Sequence, residues 1–163
     1  MPGQLFYSVD TSAFIDWWVR YYPPSAFGGL IPRVEQLIAA GRLRCSREVK
    51  DEIEYENEGL KDWLKAQTDL CIDSDHAIQG VVIDLMNKFH NYAKPDKGIN
   101  GADPFVIGVA ITQATNPWTV VTGEKPGSQE NPKIPWVCKH WGGTVVPHMT
   151  FLELVIAEGW NLS

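Results

Sequence analysis

Short apolar runs of strand length alternate with helix-forming stretches along the whole chain, and this alternation restricts the topology more than any single motif does. Leu5-Phe6-Tyr7-Ser8-Val9 reads as a strand buried on both faces. Asp10, Thr11 and Ser12, all helix-capping types, follow it, and a helix is expected over 13–20. Tyr22-Pro23-Pro24-Ser25 stops that helix, because proline lacks an N–H and restricts the residue before it. A second helix is expected over 27–40, with Leu30, Val34, Leu37 and Ile38 on one stripe and Gly41 at its close. A strand at 43–45 leads to Ser46, which caps an acidic helix containing Val49, Ile53 and, further on, Leu60. Ile78, Val81, Val82, Leu85 and Phe89 share one face of a helix over 75–90. After a polar, turn-rich loop, Asp103-Pro104 opens an apolar helix over 103–114. A strand at 118–121, a Pro/Gly-rich loop, a short helix over 137–141, a strand at 144–146 and a helix over 150–158 complete the order.

Strands that alternate with helices form a parallel sheet covered on both faces by right-handed crossovers. The expected fold is therefore α/β, a three-layer α/β/α sandwich with a central parallel sheet. No repeat or low-complexity segment interrupts 1–163, so one domain is expected; 163 residues can bury a sizeable core without staples. Cys45, Cys71 and Cys138 form no CxxC pair and are expected to be reduced thiols. The first residues lack a signal-peptide pattern, and no stretch approaches the roughly 20 apolar residues that span a bilayer. The expectation is a cytoplasmic protein with no membrane partner.

In an open parallel sheet, sites form beyond the carboxyl ends of the strands. Asp10 directly follows the first strand, Glu124 follows the strand ending at Val121, and Asp103 begins a buried helix. The helix after Ser46 carries six acids, of which Glu52 and Glu56 border the buried stripe set by Val49 and Ile53. Spacing leaves those two tied. Carboxylates gathered together repel one another unless a cation lies between them, and oxygen-only ligands suit Mg²⁺ or Mn²⁺ better than zinc. Such ions bind phosphodiesters and activate water without any histidine, cysteine or serine nucleophile. The net charge of -6 requires a local basic patch or bridging metal for any nucleic-acid role. Arg42, Arg44, Arg47 and Lys50 make the densest basic cluster; Lys94 with Lys97 and Lys125 with Lys133 are thinner.

Four segments in order, Ser8-Val9-Asp10-Thr11-Ser12, Val49-Lys50-Asp51-Glu52-Ile53, Ala102-Asp103-Pro104-Phe105-Val106-Ile107 and Val120-Val121-Thr122-Gly123-Glu124, resemble the acidic motifs of PIN domains. The likeness extends over essentially the whole chain, and Val121-Thr122-Gly123-Glu124-Lys125 with Ile134-Pro135-Trp136-Val137-Cys138 resembles a subfamily of PIN-like toxins. This resemblance implies a Mg²⁺- or Mn²⁺-dependent endoribonuclease, commonly the toxin of a toxin–antitoxin pair. Its implied partners are an RNA substrate, a small antitoxin protein over the acidic cleft, and a second copy in a homodimer. Asp10 and Asp103 match the central metal ligands, and Glu52 matches the second acid, which separates it from Glu56. Glu124 stands where the family usually has aspartate, so it binds metal either directly or through water. Thr11, Ser12 and Thr122 match hydroxyl positions that hold carboxylates or a phosphate.

Each residue also has a plainer reading. Asp10 and Asp103 taken singly are ordinary helix caps, Glu52 a solvated carboxylate, and Glu124 a loop decoration. His76, His90, His140 and His148 lack metal-ligand spacing, and the tryptophans fill core and interface, with Trp17 and Trp18 near Tyr21 and Tyr22 available for a partner surface. A haloacid-dehalogenase phosphatase needs a second Asp where Ser12 stands, a response-regulator receiver needs a phosphoacceptor Asp and a lysine on later strands, and no dinucleotide or P-loop motif is present. The rival of another class is a PIN-like binding module, a partner scaffold with weak or lost catalysis.

Overall fold

The computed structural model describes residues 4–113, 117–142 and 145–161. Five strands, β1 (Tyr7–Val9), β2 (Leu43–Ser46), β3 (Cys71–Ile72), β4 (Thr119–Val121) and β5 (His148–Met149), form one sheet in the order β3-β2-β1-β4-β5. Every pairing is parallel, with Tyr7 opposite Leu43 on one side and Thr119 on the other. Helices flank the sheet on both faces, giving the expected α/β/α layering. The chain builds outward from β1 through β2 to β3, then returns to β1's other side with β4, so the order reverses at β1/β4. That reversal is where an open α/β sheet leaves a crevice beyond its carboxyl ends.

Side chains on β1 alternate between the two helical layers. Ser8 faces α7 (Asp103–Thr112), donating its hydroxyl to the Val106 carbonyl at 2.8 Å. Tyr7 points the other way, and its hydroxyl reaches Glu158 just beyond α9 (Phe151–Ala157). α7 is apolar all round because it is covered on both sides, by the sheet and by α6 (His76–Phe89). Gly108 lies at that contact, where a Cβ would meet Ile78 Cγ2 at 3.4 Å, an ordinary van der Waals distance. In the opposite layer Trp17 is buried, stacked on Phe151 at 5.6 Å and edge-on to Trp63 at 5.1 Å. Trp17 is therefore core, as expected of the tryptophans, and is not available for a partner surface; Tyr21 is the exposed aromatic of that group.

Several boundaries differ from the sequence expectation. The first helix divides into α1 (Thr11–Ile15) and a π-helical segment, Asp16–Tyr21, closed by the Tyr22 N–H donating five residues back to Trp17 O at 3.1 Å. The second expected helix is α2 (Pro24–Phe27) and α3 (Leu30–Ala39), with Pro24 starting a helix rather than only ending one. The acidic stretch is α4 (Arg47–Ile53), capped by Ser46 as expected, and then a separate α5 (Glu58–Ala66) whose Asn57 side chain accepts from Leu60 N at 2.9 Å. The two-residue edge strand β3 went unrecognised. α8 (Ile134–His140) starts at Ile134, three residues earlier than expected, with Pro135 in its first turn. Of the expected strand at 144–146, Thr144 lies outside the described residues, and Val146 donates to the Cys138 carbonyl at 3.0 Å instead of to a strand. The pairing begins past the end of the expected strand, at His148–Met149. Among the described residues, no helix is long and apolar enough to cross a membrane.

Candidate functional site

Asp10 is the first residue beyond the central strand, and its backbone N–H still bonds Val121 O on β4, at 2.8 Å. Its side chain is 2% exposed. It makes no capping hydrogen bond to α1, so the plain cap reading does not hold. Instead Asp10 Oδ2 accepts from Ser12 Oγ at 2.6 Å and Thr122 Oγ1 at 3.1 Å. Those hydroxyls in turn accept from the loop after β4, Ser12 Oγ from Gly123 N at 2.9 Å and Thr122 Oγ1 from Glu124 N at 3.1 Å. Two side chains thus lock the exits of β1 and β4 together with a carboxylate at the centre.

Glu52 lies on the rim. Its Oε2 accepts from Thr11 Oγ1 at 2.6 Å and its Oε1 from Ala102 N at 2.9 Å, joining the starts of α1 and α7. Gly101 makes room for it: its φ is +55°, and a Cβ there would come 2.7 Å from Glu52 Oε1. Glu56, tied with Glu52 by spacing, lies past the end of α4 on an exposed turn. Asp103 begins α7 half-buried and accepts from Asn100 N at 3.2 Å, upstream of the helix, so it is not the cap of its plainer reading. Glu124 is half-buried too, with Oε2 accepting from Ile134 N at 3.1 Å, at the start of α8. Thr11, Ser12 and Thr122 therefore hold carboxylates, the first of the two roles open to them.

Asp10 and Asp103 do not behave as ordinary surface acids. Burial pushes the Asp10 carboxyl up to about 7, Glu124 repels its charge further, and the Ser12 and Thr122 hydroxyls oppose the rise. Burial likewise raises Asp103 to about 8, with Glu124, Asp10 and Glu52 adding repulsion. Asp103 thus feels the charge of the other three acids, and Asp10 that of Glu124. Among the described residues, no lysine or arginine is ion-paired to any of them. No three His, Cys, Asp or Glu side chains among those residues close into a ready metal cage, since Glu52 and Glu124 turn toward backbone N–H donors.

A fifth acid was missed in the sequence. Asp16 is 9% exposed, pairs with Arg20 at 3.2 Å, and lies against the loop after β4: a Cβ on Gly123 would overlap its Oδ2. The available signal was its position four residues after Ser12, one turn along the same helical face. The densest basic cluster is not at the acids. Arg42 pairs with Glu158, Arg44 donates to Ile38 O and Leu43 O, and Arg47 pairs with Asp73. The thinner pair, Lys125 and Lys133, lines an open cavity of about 280 Å³ together with Glu124, Gly127 and Asn131.

Residues 7–162 match a family described as a domain of unknown function, DUF4411. The chain belongs to that family. The match runs from β1 to the end of α9 and beyond, so the DUF4411 unit contains all four acids and the strands that position them. No curated protein matches the chain.

Proposed function

We propose that this DUF4411 chain is a metal-dependent endoribonuclease hydrolysing RNA phosphodiester bonds, the toxin of a cytoplasmic toxin–antitoxin pair. The observation that carries the reading is the gathering of Asp10, Asp103, Glu124 and Glu52 at the sheet's switch point without an ion-paired cation among the described residues. Oxygen-only donors and mutual repulsion fit Mg²⁺ or Mn²⁺, for which Asp10 and Asp103 would be the central ligands and Glu52 and Glu124 the outer ones. A bound ion there would polarise a phosphodiester and lower the pKa of an attacking water. The chain's own residues supply orientation: Ser12 and Thr122 hold Asp10, Thr11 holds Glu52, and Lys125 and Lys133 give a phosphate cationic company beside Glu124. The same reading includes a small antitoxin over the acids and a second copy of the chain as partners.

The test is Mn²⁺-dependent cleavage of a mixed RNA pool by the purified chain and by Asp10→Asn. Cleavage lost with chelator and in the variant supports the reading. Equal cleavage in both sinks it. A second reading, a PIN-like partner scaffold with weak catalysis, is favoured by the backbone donors already occupying Glu52 and Glu124. A scaffold shows no Mn²⁺-induced rise in Tm, whereas the nuclease shows one that Asp10→Asn removes.

A further inference from the structure

Cys45 and Cys71 sit directly opposite each other on the paired strands β2 and β3, with their sulfurs 3.8 Å apart. Residues paired this way fall within the Cα separation that a disulfide spans, and the two side chains already converge, so closure to about 2.05 Å needs only side-chain movement. Cys45 is buried; Cys71 is half-buried on the edge strand of the sheet. We propose that Cys71 and Cys45 form a peroxide-driven thiol–disulfide site, with Cys71 the reacting thiol and Cys45 the resolving one.

The surroundings divide the roles. Cys71 is lowered to about 7, first by the hydrogen bond from Cys45, with Arg47 and Lys50 of α4 adding to it and Asp73 and burial opposing. Cys45 is raised, by that same hydrogen bond and by burial. Cys138 is pushed up to about 12 by burial and stands apart from this pair. At neutral pH the thiolate is thus concentrated on the more accessible sulfur.

The chemistry closes in two steps. The Cys71 thiolate attacks one peroxide oxygen; an S–O bond forms, the O–O bond breaks, and hydroxide leaves, so sulfur is oxidised by two electrons and peroxide reduced by two. The Cys45 sulfur then attacks Cys71; an S–S bond forms, the S–O bond breaks, and the departing hydroxyl takes the Cys45 proton as water. A dithiol reductant reverses the result.

The experiment treats the reduced full chain with equimolar hydrogen peroxide at pH 7, alkylates it, and maps the peptides without reduction. The expected product is a Cys45–Cys71 link with Cys138 still free, and a Cys71 sulfenic acid trapped by a 1,3-dione in Cys45→Ser. Reduced Cys71 after treatment overturns the proposal, and so does a link to Cys138, which signals oxidation of unfolded chain. A second measurement needs no variant: alkylation of Cys71 against pH. A midpoint near 7, with a rate about tenfold above that of an ordinary thiol at neutral pH, supports the assignment. A midpoint near 8.5 overturns it.

Discussion

The two ends of the sheet treat carboxylates in opposite ways. At the amino end, Glu158 receives a two-pronged Arg42 guanidinium at 3.0 and 2.6 Å and the Tyr7 hydroxyl, while Arg42 Nε also donates to Leu5 O at 2.9 Å. One charge meets one countercharge, in a fork geometry that satisfies both. At the carboxyl end, Asp10, Asp103, Glu124 and Glu52 crowd together with hydroxyls and backbone N–H groups for company. Asp10 is buried, Glu158, Asp103 and Glu124 are half-buried and Glu52 is exposed on the rim, so burial alone does not separate the two ends. Compensation does. A protein that neutralises a carboxylate at one end of β1 and leaves several in mutual repulsion at the other is storing stability in the first place and giving it up in the second.

The sharpest way to break this comparison is Arg42→Ala. It strands Glu158 in a setting where both partners' side chains are only 12–13% exposed, and breaking such a pair costs about 3–5 kcal/mol. Chemical denaturation should show that loss, and Arg42→Lys should recover only part of it, since an ammonium lacks the fork. A cost under about 1 kcal/mol would mean the amino end is no anchor, because exposed pairs already contribute that much.

Next in size is the pH response of the metal-free chain. Asp10 moves from 3.8 to about 7 and Asp103 from 3.8 to about 8 on folding. Raised folded values mean the folded state holds protons more tightly than the unfolded one. Stability is then fullest below about 4 and is lost as pH rises through 7 to 8. Each of the two groups contributes about 1.4 kcal/mol per pH unit below its folded value as an upper bound, and the loss is visible as a falling Tm between pH 5 and 8.5. Asp10→Asn should flatten the curve and stabilise the metal-free chain at pH 8.5, and Mn²⁺ should do the same for the unmutated chain. Tm values unchanged over that interval would refute the idea that the carboxyl end is strained by its charges.

Gly101→Ala follows, at about 1–2 kcal/mol. A side chain there must adopt a φ of +55° and would crowd Glu52 Oε1 at 2.7 Å. The variant should also weaken Mn²⁺ stabilisation, because the same crowding moves Glu52 off Ala102 N and away from the other acids.

The layering and most helices were legible because period and punctuation agreed. Ser46 and Asp75 cap as their types predict, and α7 announced itself through Pro104 and an unbroken apolar run. β3 was not legible: two residues, Cys71–Ile72, carry no period, and only their pairing with Cys45 and Ser46 makes them a strand. The strand expected at 144–146 slipped because Val145-Val146 has the stronger β propensity, while His148–Met149 has the register with Val120 and Val121. At the site, position after a strand pointed to Asp10 and Glu124, and position at the start of a buried helix to Asp103, since those signals depend on connectivity. Whether each carboxylate faces a hydroxyl, an N–H or another acid depends on contacts up to 112 residues apart, as between Asp10 and Thr122. For the same reason the basic residues misled: Arg42 and Arg47 look available in sequence and are bound to Glu158 and Asp73 in the fold.

The smallest expected effect isolates one of the compensations Asp10 does have. Ser12→Ala removes the 2.6 Å hydroxyl donor to Asp10 Oδ2 while Thr122 remains at 3.1 Å. The lost bond stabilises the charged carboxylate only, so the penalty should be close to nil at pH 5, where Asp10 is protonated, and about 1 kcal/mol at pH 8.5. The Asp10 titration followed by NMR should move upward by a fraction of a unit in the same variant. If Ser12→Ala instead costs the same at both pH values, its hydroxyl serves mainly the Gly123 N–H that it accepts from at 2.9 Å. The lock between the β1 and β4 exits would then be structural, and the contrast between the two ends of the sheet would rest on Asp103 and the glutamates rather than on Asp10.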